Sequence, residues 1–271
     1  MTTLRQPALH DLIEAAYVLF APYTLGATFC VCKACCVSDA QEQALLRTPL
    51  RHVSWQVLSD GLFVLAQDHS DQERWEMKHF LPRVLELATQ FEFPVHSVEI
   101  TFSRLDLDQP AHWPAAERQL LATFARTYFE ACLTLNPLPE GNQLTDILLM
   151  FGLAHFELTP LLHSWATANS PTSLAHLADL LLDELDDTPP KALKLRNPFS
   201  TPHVDQQLRA WLSDQDVRAT LVAQVEQALL HQQVPDEEAT RLSWAYDVLT
   251  HGLSPTQPIA SATVPPNQKG G

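Results

Sequence analysis

The chain has 271 residues, 46% of them hydrophobic, which suffices for a sizeable buried core in one large domain or two small ones. Its formal net charge is −15, against the Lys/Arg excess that phosphate recognition demands, so a nucleic-acid partner is not expected. Seven glycines leave little material for phosphate-cradling loops.

No basic segment followed by an apolar core opens the chain, and no apolar run approaches a membrane span. Five cysteines, four of them between Cys30 and Cys36, do not suit a secreted disulfide framework. The expectation is a cytoplasmic protein with reduced thiols and no membrane contact.

Pro7 to Tyr23 carries apolar residues at helical spacing, with Pro7 suited to the first turn and Pro22 marking the stop. The cysteine segment Cys30-Val31-Cys32-Lys33-Ala34-Cys35-Cys36 follows as a loop. Ser38 and Gln41 have capping-box spacing for a short helix through Leu45. Ser54 can cap another through Leu58 and Leu65. Trp75 to Leu87 reads as helix, with Pro82 either kinking it or opening a second one. Val95 to Leu107 admits a short helix or, from the alternation of Val98, Ile100 and Phe102, a strand.

Trp113-Pro114 opens the strongest helix, its stripe running through Leu121, Phe124, Tyr128, Cys132 and Leu135. Asn142 can cap a helix through Ile147 and Met150; Pro160 can start another within His155 to Ala168. Ser170-Pro171 begins a helix striped by Leu174, Leu177, Leu181 and Leu185. Asp186 to Pro202 holds a Pro-Pro pair and reads as a linker or long loop. Helices follow through Trp211, from a Ser213–Asp216 capping box, and from a cap at Asp236. The last residues lack periodicity and read as a disordered tail.

These elements predict an all-α fold: an irregular multi-helix bundle, with stacked helical hairpins as a variant. The expected division is a main domain over 1–187, a linker over 188–202, a C-terminal subdomain over 203–252 packed on the first, and a tail over 253–271. Tryptophans 55, 75, 113, 165, 211 and 244, spread along the chain, are expected as core anchors.

Chemistry concentrates in the cysteines. Cys32 and Cys35 form a C-x-x-C pair whose thiolates can converge on one zinc ion, with Cys36, and His52 or a distant histidine, completing the shell. A thiol-redox role is the other reading, favoured by Lys33 and the following helix N-terminus but not by the helical flanks. Cofactors are thus none, or a single zinc. The sequence shows no nucleophile elbow, Walker loop, dinucleotide fingerprint or His-Glu-x-x-His motif, so it leans away from an enzyme. Two acidic runs stand out as partner-binding candidates: Asp183, Glu184, Asp186 and Asp187, and Asp236, Glu237 and Glu238. They suit a basic protein, and the concrete expectation is an immunity or antitoxin-type inhibitor of a basic toxin domain.

The order C-x-x-C, Thr48-Pro49-Leu50-Arg51, His79-Phe80-Leu81-Pro82-Arg83-Val84-Leu85-Glu86-Leu87 and Trp113-Pro114-Ala115-Ala116-Glu117-Arg118 resembles a family of bacterial helical proteins with no established activity. The resemblance covers about Leu12 to Ala131. It implies a bacterial source and a helical fold, and carries over no catalytic residue.

Overall fold

A computed structural model describes residues 4, 6–30, 36–63, 70–186, 193–231 and 234–252. Among them the fold is all-α, with eleven α-helices and one two-stranded ribbon. The helices are α1 (Pro7–Leu19), α2 (Asp39–Arg47), α3 (Trp55–Leu58), α4 (Asp71–Ala88), α5 (Ala115–Cys132), α6 (Leu144–Leu153), α7 (Thr159–Thr167), α8 (Pro171–Asp179), α9 (Pro202–Ser213), α10 (Gln215–Leu230) and α11 (Asp236–Asp247). β1 (Leu185–Asp186) pairs antiparallel with β2 (Lys194–Leu195); it takes Leu185 out of the expected helix stripe, and the rest lies in the stretch expected as a loop. Residues 188–192 of the expected linker and the tail over 253–271 lie outside the described residues.

α4 is the axis of the N-terminal half. Its Phe80, Leu81, Val84, Leu85 and Leu87 are fully buried, so the resemblance motif encodes the core face of one helix. Each such side chain contributes roughly 1.5–3 kcal/mol by leaving water. Pro82 lies inside α4, resolving the alternative in favour of one continuous helix. α1 packs on α4 and α5, and α5 continues the core to α6 and α7. Gly152 lets α9 approach α6, since a Cβ there would lie 2.6 Å from the Val204 side chain. α9, α10 and α11 pack on α6, α7 and α8, and their apolar residues join the same core.

Capping explains several starts. Ser38 and Gln41 form the expected box, and Ser54, Ser70 and Ser170 cap their helices. Three expected caps move by one residue. Gln143, not Asn142, precedes α6; Asp214, not Ser213, caps α10; and Pro235 precedes α11, leaving Asp236 inside its first turn. The Asn142 amide instead donates to the Pro139 carbonyl. Val95 to Leu107 is neither strand nor α-helix but a 3-10 turn at Val98–Ile100 followed by further turns.

Two stops use an unusual residue. After α4, the Glu92 N–H reaches the Leu87 carbonyl and the Phe91 N–H reaches Ala88, leaving Phe91 at φ 56°. After α6, Phe156 and His155 repeat the arrangement on Phe151 and Gly152, with His155 at φ 61°. This is the Schellman stop, whose left-handed position normally takes glycine. Phe91 repays the strain by packing against Phe93 and Tyr128, whereas His155 is exposed.

The tryptophans divide. Trp113, Trp165 and Trp211 are buried as expected, but Trp55, Trp75 and Trp244 are 37%, 45% and 57% exposed. Trp75 keeps a role at the surface, because its indole N–H donates to the Thr24 carbonyl and its ring meets Tyr23 edge-on.

A buried ion pair joins α4 to α5. Lys78 and Glu117 have side chains only 5% and 6% exposed and pair at 2.7 Å. The ammonium also donates to the His112 carbonyl at 2.6 Å and the Tyr23 hydroxyl at 3.2 Å, while Tyr23 donates to the other Glu117 oxygen. Trp113 presents its ring 4.2 Å from the ammonium. All three Lys78 protons therefore have acceptors.

Replacing Lys78 by Met is expected to cost about 3–5 kcal/mol in denaturant unfolding, because it strands a buried carboxylate. Adding Glu117→Leu should recover much of that loss; an additive double variant would refute the coupling. His155→Gly is expected to raise stability by about 1 kcal/mol through release of the left-handed strain, checked by the same titration.

Candidate functional site

The two sequence features singled out above fare differently. Cys32 and Cys35 lie outside the described residues. Cys30 and Cys36 flank them, both half-buried. Two buried carboxylates hold the approach to this segment: Glu42 accepts the Phe29 N–H at 3.0 Å, and Glu76 accepts the Cys30 N–H at 3.0 Å. Gln72 steadies Glu76 from one turn away. Among the described residues no group of three or more His, Cys, Asp or Glu side chains is placed to hold a metal ion. His52, the nearest candidate in sequence to complete a zinc shell, is exposed at the end of a 3-10 turn. The fifth cysteine, Cys132, is fully buried beside Tyr128, and burial pushes its thiol far above the ordinary range.

The acidic runs, distant in sequence, meet in space. α8 continues into a π-helical turn over Leu180–Glu184, and α11 packs along both. Arg241 of α11 reaches across to Asp179 at 2.8 Å and Asp183 at 2.5 Å. Beside this bridge is a cleft of about 300 Å³ lined by Asn136, Asp179, Glu237, Glu238 and Arg241, floored by Leu242. Asp236 and Glu237 are exposed in the first turn of α11, where the helix dipole favours negative charge. Among the described lining residues one cation, Arg241, stands with Asp179, Glu237 and Glu238, and Asp183 pairs with it from beside the cleft.

Glu184 turns the other way. It accepts a hydrogen bond from the Thr145 hydroxyl of α6 and is largely withdrawn from water. Burial, reinforced by the negative charges of Asp146, Asp179 and Asp183, pushes its carboxyl up to about 7. Burial likewise raises Asp146, whose other neighbour is Glu99. The Asn197 amide spans this pair, donating to Glu99 at 2.6 Å and to Asp146 at 2.9 Å, and so fastens the segment before α9 to α6. Arg196 contributes through its backbone N–H to the Glu184 carbonyl and its guanidinium to the Asp183 carbonyl. Asp186 sits in β1 opposite Lys194, and Asp187 lies outside the described residues.

Of the seven acidic candidates, Glu237 and Glu238 line the α8–α11 cleft and Asp183 pairs with its Arg241, while Asp236 is exposed in the first turn of α11. Glu184 is directed inward. Asp179 and Arg241 belong to the site although the acidic runs alone do not reveal them. Their signal was spacing: Asp179 lies four residues before Asp183, and Arg241 three and four after Glu238 and Glu237, which places each on the shared helix face.

No protein family, curated protein or solved structure matches the chain. Among the described residues no helix is long and apolar enough to cross a membrane.

The Glu184 environment makes a signed prediction. Between about pH 4.5 and 7 the folded protein retains a proton that the unfolded chain has released, so stability falls as pH rises through that window and levels above it. Glu184→Gln, which mimics the protonated form, should leave stability nearly unchanged at pH 4, below that window. At pH 8 it should gain up to about 3 kcal/mol. A wild-type-to-variant difference that is constant between the two values would show that Glu184 is not the titrating group.

Proposed function

We propose that the chain is a protein-binding module whose α8–α11 cleft receives a basic surface of its partner. The observation that carries this reading is the convergence of Asp179, Glu237 and Glu238 on a cleft whose described lining contains one cation, Arg241, itself paired with Asp179 and Asp183. Arg241 serves as an internal placeholder. It screens Asp179 and Asp183 in the free protein, and a partner's arginine or lysine finds Glu237 and Glu238 beside it. Asn136 adds a polar group to the same lining and Leu242 an apolar floor, the mixture of charge and contact area that fixes orientation. A net charge of −15 draws a basic partner from a distance. A π-helical turn at such a place is in keeping with the frequent use of these turns at functional sites.

The concrete form of the reading is a bacterial, cytoplasmic inhibitor of the immunity or antitoxin type, which acts by covering the basic surface of a toxin domain. It requires no catalytic group of its own.

Immobilised wild-type protein is expected to capture a partner of basic isoelectric point from the lysate of its source, with release by about 0.5 M salt. Glu237→Gln combined with Glu238→Gln should lose most of that capture without lowering the melting temperature, because both carboxylates border the cleft. Capture that is insensitive to salt, or equal on wild type and variant, would remove the cleft from consideration as the binding surface.

A further inference from the structure

A second cavity, on other residues, has a different chemistry. It measures about 360 Å³ and is formed by three segments: the start of α3, the chain after α4, and the turn before α6. Trp55, Phe91 and Phe93 supply aromatic surface, Glu92 and Glu140 supply carboxylates, and His96 stands at the side. Among the described residues no lysine or arginine lines it. Neither Glu92 nor Glu140 makes an ion pair among the described residues, unlike Asp179 and Asp183 at the α8–α11 cleft.

The backbone creates this arrangement. Phe91 at φ 56° reverses the chain at the end of α4, so that its ring packs on Phe93 at a centroid distance of 6.3 Å while Glu92 and Phe93 reach the cavity. Glu140 is also left-handed, at φ 59°, within the turn Pro139–Gly141. Two of the four described non-glycine residues with positive φ therefore border the same cavity. Trp55 closes it from α3 while remaining partly exposed, an indole placed at a mouth rather than in the core.

Aromatic faces joined to uncompensated carboxylates, with no competing ammonium or guanidinium, form an environment that favours a cation carrying its own apolar surface. We infer that this cavity binds a small organic ammonium, its alkylated cationic head held between the Trp55 and Phe93 rings and the Glu92 and Glu140 carboxylates. The volume suits a small molecule, being near the lower end of ligand pockets at about 300–1,000 Å³. The site is separate from the cleft assigned above to a protein partner, and stands or falls without it.

The test uses the whole chain and two probes of one shape: choline, and its neutral isostere 3,3-dimethyl-1-butanol. The Trp55 indole N–H resonance, identified by its loss in Trp55→Phe, is followed through each titration. Choline is expected to shift it saturably within about 10 mM, and the isostere to bind at least about tenfold more weakly, the difference that cation–aromatic and ionic attraction supplies. Glu92→Gln with Glu140→Gln should weaken choline about tenfold or more, and each single change by about threefold, with the melting temperature retained. The single changes serve if the double variant folds poorly. Glu237→Gln with Glu238→Gln should leave the titration unaltered. No saturable shift with choline, equal binding of the isostere, or binding indifferent to Glu92 and Glu140 would each overturn the assignment.

Discussion

A lysine taken out of water must find three acceptors and a counter-charge, and the N-terminal half of this protein is arranged around meeting that demand for Lys78. The acceptors come from three separate places: Tyr23 beyond α1, His112 before α5, and Glu117 inside α5. None of these groups is local to α4, so the pair can form only when α1, α4 and α5 have assumed their final positions. Apolar burial drives those helices together without specifying rotation or height. The Lys78 cluster does specify them, since a shift of one residue would leave a charge unsatisfied.

The same helix gathers loops by similar means. Tyr17 donates to Glu86, His79 to the Tyr23 carbonyl, Arg83 to the Val53 carbonyl, and Glu76 accepts from Cys30. The core stripe and the polar face of α4 thus have divided tasks: the first supplies burial, the second fixes irregular chain. The C-terminal half follows another rule. There Glu99, Asp146 and Glu184 come together with Asn197 and Thr145 as the neutral donors. Lys78 and Glu117 compensate each other's charge, whereas burial favours the protonated forms of Asp146 and Glu184.

Helix identity was legible in the sequence because it rests on repeated signals: the α4 and α5 stripes and the serine caps at 38, 54 and 170. The stops at Phe91 and His155 were not, since the left-handed stop normally announces itself by glycine and here it is occupied by other residues. The tryptophans misled for a related reason. A large ring can satisfy its N–H at the surface, as Trp75 does on Thr24, and so need not enter the core. The acidic runs were visible, but their sorting was not: Asp183 faces Arg241 and its neighbour Glu184 faces Thr145. That difference depends on the turn of chain beneath them, which charge patterns do not encode.

The π-helical turn over Leu180–Glu184 has an evolutionary corollary. Such a turn accommodates one residue more than an α-helical one, so it marks a position at the end of α8 where chain length can change by one while α8 survives. Loss of a single residue there would rewind α8 into regular helix and swing the side chains downstream by roughly 100° about its axis. The core-facing leucines before it would stay in register, while Glu184 and the entry to β1 would face new neighbours. The leucine stripe of α8 and the acidic edge beyond it can therefore diverge separately as far as buried Leu185, just past the turn, can be re-seated.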